Sequence, residues 1–319
     1  MPQEQRAQES TRRTSHSTAL FRRVGRTLNE EESLDMRVFV MGGTGVIGRR
    51  LLPRLVDAGH EVTVSSRSRA CFTELGAMGV QGVVMDALDA DSVSAALQDA
   101  SPEVVMHQAT DLSKRDAQAN ARLRREGTRH LVDAAKTAGV RRIVAQSIAW
   151  AYEPGPTPAD ETTPLDDDLD PGRAVSVGGV RALESAVSEI AEHVVLRYGT
   201  LYGPGTWFAP DGPVADALAH GMLPADEAVS SFLQVEDAAA AAVQALEWAP
   251  GTYNIVDDEP APASAWVPVL AGMWGAPVPS PGREGGGTWE RGARNAKARA
   301  AGWVPLCPTW RSGFRTAMA

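Results

Sequence analysis

Residues 36–48 read MRVFVMGGTGVIG, a short apolar run followed directly by three glycines spaced three residues apart. The apolar run predicts a β-strand, and the following residues predict a helix from about 46 to 58. Gly42, Gly45 and Gly48 allow a tight turn, close approach of the backbone to a pyrophosphate, and close packing of helix on strand. The start of the helix adds free N–H groups and partial positive charge, which suit phosphate. The stretch therefore predicts a dinucleotide-binding strand–turn–helix.

Apolar runs of strand length alternate with helical stretches through the next 160 residues. The further strands are predicted at 61–66, 81–86, 103–108, 141–147 and 193–199. The helical segment before 141–147 is predicted to stop at Gly139, since glycine commonly ends helices. Such alternation is typical of a parallel sheet with crossover helices. We predict an α/β fold, a doubly wound parallel (Rossmann) sheet with a smaller, discontinuous C-terminal substrate lobe.

Composition divides the chain into three parts. Residues 1–35 are polar, charged and without apolar periodicity, which predicts a disordered N-terminal extension. Residues 36–200 are predicted to form the dinucleotide-binding Rossmann domain. Residues 201–319 are predicted to form mainly the substrate-binding lobe, with segments returning to the Rossmann core. The Pro- and Asp-rich loop at 153–172 is too long for a bare connection, which indicates a functional role.

The bulk numbers exclude several classes of protein. A net charge of -9 argues against non-specific binding to nucleic acid. No run of about 18 apolar residues is present, so no membrane-spanning helix is expected. Cys71 and Cys307 are too few for a disulfide framework, and the six histidines show no metal-ligand spacing. We expect a cytoplasmic protein that binds a small-molecule substrate, without metal, nucleic acid or membrane, and of undetermined oligomeric state.

The end of the second predicted strand selects the cofactor. An acidic residue there would hold the ribose 2′-hydroxyl of NAD. This chain has SSRSR at 65–69 instead, and Ser66 and Arg67 can bind a 2′-phosphate, because a guanidinium pairs well with phosphate oxygens. The cofactor is therefore predicted to be NADP(H). Asp86 is placed to accept from the adenine amino group, or alternatively to cap a helix.

The candidate site residues follow the carboxyl ends of the strands, where open α/β sheets bind ligands. The predicted cofactor contacts are Gly42, Thr44, Gly45, Val46, Ile47, Gly48, Ser66, Arg67, Asp86, Ala87, Gln108, Ala109 and Thr110. Ser147, at the end of the fifth strand, is the candidate catalytic residue. The predicted substrate contacts are Ala149, Tyr152, Tyr202 and Trp207, since aromatic walls suit a planar ligand. Each of these residues also has an ordinary packing or capping alternative.

These features together resemble the extended and atypical short-chain dehydrogenase/reductases of the NAD-dependent epimerase/dehydratase type. The resemblance covers nearly everything from Met36 to the C-terminus. The stretches that carry it are GGTGVIG (42–48), HQAT (107–110), EGTRHLVDAAKTAGVRRIVAQS (126–147), LRYGTLYGPGT (196–206), SFLQVEDAA (231–239) and TYNIVDDEP (252–260). This succession is far more specific than the glycines alone.

The chain departs from that family at the proton-transfer residues. The resemblance implies a Ser, Tyr, Lys trio, in which lysine lowers the tyrosine pKa and tyrosine transfers the proton. Ser147 matches the serine, but Val177 and Arg181 stand at the positions assigned to tyrosine and lysine. Arg181 is a poor proton relay, and we expect it to pair with Glu184 at i+3. Gly178-Gly179 predicts an open volume beside the nicotinamide.

The resemblance implies an NADPH-dependent ketoreductase. The nicotinamide would supply the hydride, and water or the substrate's own hydroxyl would supply the proton. Atypical reductases that tailor angucyclinone-type aromatic polyketides are similar in this respect, which implies a bulky aromatic ketone and a role in antibiotic biosynthesis. Two alternatives stay open. One is a sugar-nucleotide epimerase or dehydratase, which normally depends on the absent tyrosine; the other is a non-catalytic NADP(H)-binding sensor or scaffold.

Overall fold

The computed structural model describes residues 35–112, 115–167, 171–277, 279–280, 282 and 289–317. The predicted disordered extension, 1–35, lies outside the described residues except for Asp35. In the described part, none of the helices combines the length and the apolarity needed to cross a membrane.

The main sheet has seven parallel strands and follows the predicted alternation. Its first six strands in chain order are β1 (Arg37–Met41), β2 (Glu61–Ser66), β3 (Gln81–Val84), β4 (Val104–His107), β5 (Arg142–Ile148) and β6 (Glu192–Tyr198). The later strands are β7 (Thr200–Tyr202), β8 (Val229–Ser230), β9 (Phe232–Gln234), β10 (Gly251–Ile255) and β11 (Ala261–Pro262). The spatial order is β10-β6-β5-β4-β1-β2-β3. The chain reverses direction across the sheet between β1 and β4, which is where doubly wound sheets bind ligands.

Some of the helices cover the two faces of this sheet, and others belong to an aromatic core beside it. The helices are α1 (Gly48–Asp57), α2 (Phe72–Ala77), α3 (Ala90–Ala100), α4 (Ala117–Arg122), α5 (Thr128–Thr137), α6 (Pro171–Val187), α7 (Pro213–Ala219), α8 (Val235–Gln244), α9 (Ala263–Trp274), α10 (Ala296–Ala300) and α11 (Trp310–Ala317). A π-helical turn at Leu123–Gly127 joins α4 to α5. The predicted fold class, a doubly wound parallel sheet, is confirmed.

Alternation along β1 shows why both faces are covered. Val38 and Val40 belong to one buried cluster, together with apolar residues of α1 and α8. Phe39 and Met41 belong to a second cluster on the opposite face, with residues of α3, α5 and α6. Successive side chains of a strand point to opposite faces, so a strand that is apolar at every position requires two apolar layers.

The later part of the chain adds an aromatic core beside the sheet. β7 pairs with β9, and β8 pairs with β11, in two small sheets. Phe232 is at the centre of this core, with edge-on ring contacts to Trp266 at 5.2 Å and to Phe314 at 5.1 Å. β10 leaves this region and joins the main sheet alongside β6. The predicted division at residue 200 stays a prediction.

Candidate active site

The glycine turn after β1 requires glycine for two separate reasons. Gly42 has a φ of +91°, which side chains rarely adopt, and a Cβ there would lie 2.4 Å from the backbone nitrogen of Ala109. A Cβ on Gly48 would lie 2.4 Å from the carbonyl of Gly43. The first glycine thus brings β1 against the end of β4, and the last packs α1 against the turn. Any larger residue would push the turn out of the space above the sheet.

A cavity of about 420 Å³ opens above this turn. It gathers predicted cofactor contacts from the carboxyl ends of four strands: Gly42, Thr44, Gly45, Ser66, Arg67, Asp86, Ala87, Gln108, Ala109 and Thr110. Two more predicted contacts, Val46 and Ile47, line the adjoining cavity instead. Asp86 does not cap α3, because Asp89 accepts from the first N–H groups of that helix. We call this space the cofactor cavity.

The side chains of the cofactor cavity fit a nicotinamide dinucleotide. The glycine turn gives the close backbone approach that a pyrophosphate needs. Gln108 is buried, and its amide nitrogen Nε2 has no hydrogen-bond partner among the described residues. Gln108 lines both cavities, so a ligand spanning them can accept that hydrogen bond. Arg67 is exposed at the far end and forms no ion pair within the described ranges.

A second cavity of about 340 Å³ adjoins the first and shares Gly45, Gln108 and Thr110 with it. Trp150 and Trp207 line it and are 39% and 46% exposed, so both lie partly open to solvent. Ala149 lines a neighbouring space together with Trp150. Volumes of this size are typical of small-molecule sites. We call the second cavity the substrate cavity.

Two predicted substrate contacts, Tyr152 and Tyr202, lie in the core and do not line the substrate cavity. Tyr202 is fully buried, with its ring 5.1 Å from that of Phe314. Tyr152 is also buried, and its hydroxyl donates to Asn254 Oδ1 at 2.5 Å. Burial raises the pKa of Tyr152 to about 12. Both residues take the packing alternative, because the loop after β5 and strand β7 turn their rings inward.

Ser147 lines the substrate cavity, as expected from its position at the end of β5. Its hydroxyl donates to Glu184 Oε1 on α6 at 2.6 Å. Glu184 also accepts from Arg197 on β6, through Nε at 2.9 Å and Nη2 at 2.6 Å. The guanidinium of Arg197 in turn lies over the ring of Tyr152, 4.8 Å from its centroid. The Ser147 proton is therefore directed at a carboxylate, and a catalytic role for Ser147 stays a prediction.

Helix α6 provides no side chain to the substrate cavity in the described part of the chain. Val177 is fully buried in an apolar cluster with Ala151 and Val180. Arg181 points away from the cavity: it pairs with Asp167 and donates to the carbonyl of Asp166 at 2.9 Å. Its predicted pairing with Glu184 is wrong, because Arg197 and Ser147 already hold that carboxylate. The positions assigned to tyrosine and lysine therefore supply no proton donor to the cavity.

The predicted open volume at Gly178-Gly179 is also wrong. Gly178 is exposed on the outer face of α6. Gly179 packs against α4, where an added Cβ would lie 3.0 Å from the Cα of Ala121. The glycines permit close approach of two helices and do not enlarge the ligand site.

Sequence reasoning missed Arg124, which lies in the π-helical turn and lines the substrate cavity. It is only 5% exposed. The signal was present in the sequence, because Arg124 falls at helical spacing from buried Asn120, Ala121 and Thr128. An arginine on the buried face of a helix requires an anionic or polar partner.

His107, at the end of β4, is another buried polar residue near the site. Its Nε2 lies 2.9 Å from Thr128 Oγ1. Burial, together with the charge of Arg124, lowers the pKa of His107 to about 3. The imidazole is therefore neutral at ordinary pH and is no proton donor to a substrate.

Comparison with known proteins decides the family. The sequence pattern of the NAD dependent epimerase/dehydratase family matches residues 38–256. The chain belongs to this family. Its members' cofactor is a nicotinamide dinucleotide, which agrees with the glycine turn and with the unpaired Gln108 amide. The resemblance seen in the sequence is thereby confirmed.

Individual relatives define this member further. A 3-diazoavenalumate denitrifying reductase from a Streptomyces species is 47% identical over 307 residues, which cover 88% of this chain and 99% of that protein. The UDP-glucose 4-epimerase of Thermus thermophilus, solved with NAD, has a TM-score of 0.69 at 26% identity, covering 88% of this chain and 97% of that one. WbmG of Bordetella bronchiseptica, solved with NAD and UDP, has a TM-score of 0.70 at 22% identity, covering 86% of this chain and 91% of that one. At that identity the likeness shows the shared fold alone.

This member of the epimerase/dehydratase family is an NAD(P)-dependent oxidoreductase of the short-chain dehydrogenase/reductase type. The family's cofactor half is intact in it. Near the predicted proton-transfer positions the described residues place a serine bound to a carboxylate and a buried arginine. Small-molecule substrates are typical of such enzymes.

Proposed function

We propose that this enzyme is an NADPH-dependent reductase whose substrate accepts hydride without receiving a proton from the protein. One observation carries the proposal: the described residues of the substrate cavity include no side chain poised to donate a proton. Ser147 donates to Glu184. Tyr198 also lines the cavity, but its hydroxyl is buried 3.5 Å from Gln108 Oε1 and from the carbonyl of Ala238, and burial raises its pKa above the ordinary range. A ketone needs both a hydride and a proton, so this cavity is poorly equipped for ketones.

An organic diazonium group is a hydride acceptor that needs no proton from the protein. A bound nicotinamide supplies a hydride. When a diazonium cation accepts that hydride, the carbon–nitrogen bond breaks, N₂ leaves, and the hydrogen ends on carbon. The substrate gains two electrons and loses its positive charge, so the reaction balances with no added proton. The protein then needs only to orient the substrate and exclude water, which the apolar and aromatic walls of the substrate cavity favour.

The reductase at 47% identity supports this choice of acceptor. Its name describes a reductase that removes nitrogen from a diazo compound, and the ending of the substrate name denotes the anion of an acid. The similarity extends over 99% of that protein and 88% of this chain. We therefore propose a diazo-bearing organic acid as the substrate class.

The preference for NADPH over NADH rests on the end of β2. Ser66 and Arg67 line the cofactor cavity there, and no acidic residue occurs between residues 65 and 69. A guanidinium without an ion-pair partner binds a 2′-phosphate strongly. A 2′-hydroxyl is bound better by a carboxylate, which this strand end lacks.

Reduction of an aromatic ketone is the second candidate. It is favoured by the presence of Ser147 on the wall of the substrate cavity, from where its oxygen can contact a carbonyl substrate if the bond to Glu184 opens. In that reaction the proton would come from water or from a hydroxyl of the substrate.

The two candidates are separated by assaying 4-carboxybenzenediazonium against 4-acetylbenzoate with NADPH. Oxidation of NADPH is followed by absorbance, and release of nitrogen from the ¹⁵N-labelled diazonium by mass spectrometry, with a reaction lacking protein as the control. We expect one N₂ and one benzoate for each NADPH consumed. Turnover of the ketone with no acceleration of the diazonium reaction would overturn the proposal.

A further inference from the structure

Arg124 is a charged residue on the wall of the substrate cavity that the proposed reaction does not use. It lies in the π-helical turn between α4 and α5, where the chain turns its side chain inward with those of Ala121 and Thr128. Among the described residues that line the substrate cavity, it is the only one with a formal charge.

The other two deeply buried arginines show what Arg124 lacks. Arg173 pairs with Asp166 and also donates to the carbonyl of Tyr152 at 3.0 Å. Arg197 makes a two-pronged ion pair with Glu184. The guanidinium of Arg124 has no hydrogen bond or ion pair with any residue in the described ranges. A buried charge is costly without a partner, and Arg124 lies on the wall of the substrate cavity, so an anionic group bound there would stabilise it.

Around Arg124 the positive side-chain charges outnumber the negative ones by one. Glu184 is close enough to stabilise the Arg124 cation, but it is already bound by Arg197 and Ser147. His107 contributes no charge, because its pKa is far below neutral. Two guanidinium groups thus share one carboxylate. A single anionic group on the ligand would balance the cluster.

The shape of the substrate cavity indicates what carries that anion. Its remaining walls are mostly apolar or aromatic, formed in part by Leu112, Ile148, Trp150, Trp207 and Phe208. Such walls suit a planar ring. The cofactor cavity includes Leu123 but not Arg124, so the guanidinium serves the substrate side and not the adenosine side.

We propose that Arg124 binds the carboxylate of an aryl acid substrate and so holds its ring between the two exposed tryptophans. The proposal rests on the proposed function for the reaction, and it adds the group that the enzyme recognises. A guanidinium binds a carboxylate through two parallel hydrogen bonds, which fixes orientation as well as position. Arg124 is accordingly a specificity-determining residue.

The test compares binding of cinnamate with that of cinnamamide, its neutral counterpart, by calorimetry in the presence of NADP⁺. We expect the wild-type enzyme to bind the carboxylate about 10- to 100-fold more tightly, as is typical of charged hydrogen bonds. In Arg124→Gln this preference should fall to within about twofold, since the loss of charge removes most of it. Arg124→Lys keeps the charge but not the paired geometry, and it should fall between the two.

Arg125→Gln is the matched control, because Arg125 is the next residue, is exposed and lines neither cavity. It should keep the full preference. Retention of the preference in Arg124→Gln, an absence of preference or of binding in the wild-type enzyme, or an equal loss in Arg125→Gln would each overturn the proposal. So would weaker NADPH binding in Arg124→Gln with the carboxylate preference intact, since Arg124 would then hold cofactor.

The same experiment stays informative if the proposed reaction is wrong. Binding of cinnamate needs no turnover, so a carboxylate preference that depends on Arg124 can coexist with failure to reduce the diazonium compound. Conversely, if Arg124→Gln reduces the diazonium compound as fast as the wild-type enzyme, the proposed reaction is supported and the proposed role of Arg124 is wrong. Arg124→Gln is expected to fold, because it removes a buried charge that has no protein partner.

Discussion

The cofactor cavity and the substrate cavity adjoin each other, yet they are built in different ways. The cofactor cavity is shaped by backbone: a glycine turn after β1 and the ends of β2 and β4. The substrate cavity is shaped by side chains that arrive from distant elements, among them Arg124, Trp150 and Trp207. A backbone-shaped site tolerates little change within a family, whereas a side-chain-shaped site can exchange its chemistry while the fold persists. The following predictions test that contrast.

The largest effect is expected at Gly42. In Gly42→Ala the added Cβ meets the backbone of Ala109 at 2.4 Å, and the positive φ adds about 1–3 kcal/mol of strain. We expect measurable NADPH binding to be lost, as followed by nicotinamide fluorescence. Gly76→Ala is the control, because a Cβ there meets nothing within 4 Å. If both variants bind NADPH equally well, the glycine turn is not what shapes the cofactor cavity.

Next comes the buried network of the substrate side. Glu184→Gln leaves the Arg197 guanidinium buried without its carboxylate, and removing one partner of such a pair costs about 3–5 kcal/mol. Ser147→Ala removes one hydrogen bond and should cost about 1 kcal/mol. Urea unfolding measures both. Equal losses would mean that the Glu184–Arg197 ion pair contributes no more to stability than the Ser147 hydrogen bond, and would contradict this ranking.

Cofactor choice should depend on Arg67. In Arg67→Gln we expect the preference for NADPH over NADH to fall by about 10- to 100-fold, because a charge-assisted pair with phosphate is lost. Arg69→Gln is the matched control, since Arg69 is exposed and lies outside the lining of the cofactor cavity. The ratio of dissociation constants for the two cofactors is the measurement. If the preference falls in Arg69→Gln and not in Arg67→Gln, then Arg69 binds the 2′-phosphate and the assignment to Arg67 is wrong.

The smallest effect is the titration of His107. Its pKa is depressed in the folded protein, to about 3, by burial and by Arg124. Stability from this residue is therefore complete above the unfolded pKa of about 6.5 and is lost as pH falls from there toward 3. By NMR, the His107 ring signals should not shift between about pH 5 and 8. A midpoint in that range would return His107 to the candidates for proton transfer.

The cofactor side could be predicted from sequence because its signals are local. Three glycines after an apolar strand, and SSRSR after the next strand, require no knowledge of what packs against them. The aromatic residues could not be assigned in the same way. Trp207 does line the substrate cavity, but Tyr152 and Tyr202 turn inward, since exposure depends on the strands and helices that cover each ring.

The residues around α6 show a second limit of sequence reasoning. Glu184 was expected to pair with Arg181 at helical spacing, yet Arg197 on β6 holds it more closely. Helical spacing predicts pairs within one helix and cannot rank them against partners brought in by a neighbouring strand. Arg124 was overlooked for a different reason. It is one of three neighbouring arginines, and only its helical spacing from buried residues distinguishes it from exposed Arg122 and Arg125.

The central claim is that reduction in this enzyme needs no proton from a protein side chain. It is tested most directly by the pH dependence of kcat/KM for 4-carboxybenzenediazonium at fixed NADPH. The rate should be flat between about pH 6 and 8, since none of the described residues that line the substrate cavity is an acid poised to donate a proton in that range. A rate that falls about tenfold for each pH unit would report a protein acid losing its proton, and would contradict the claim.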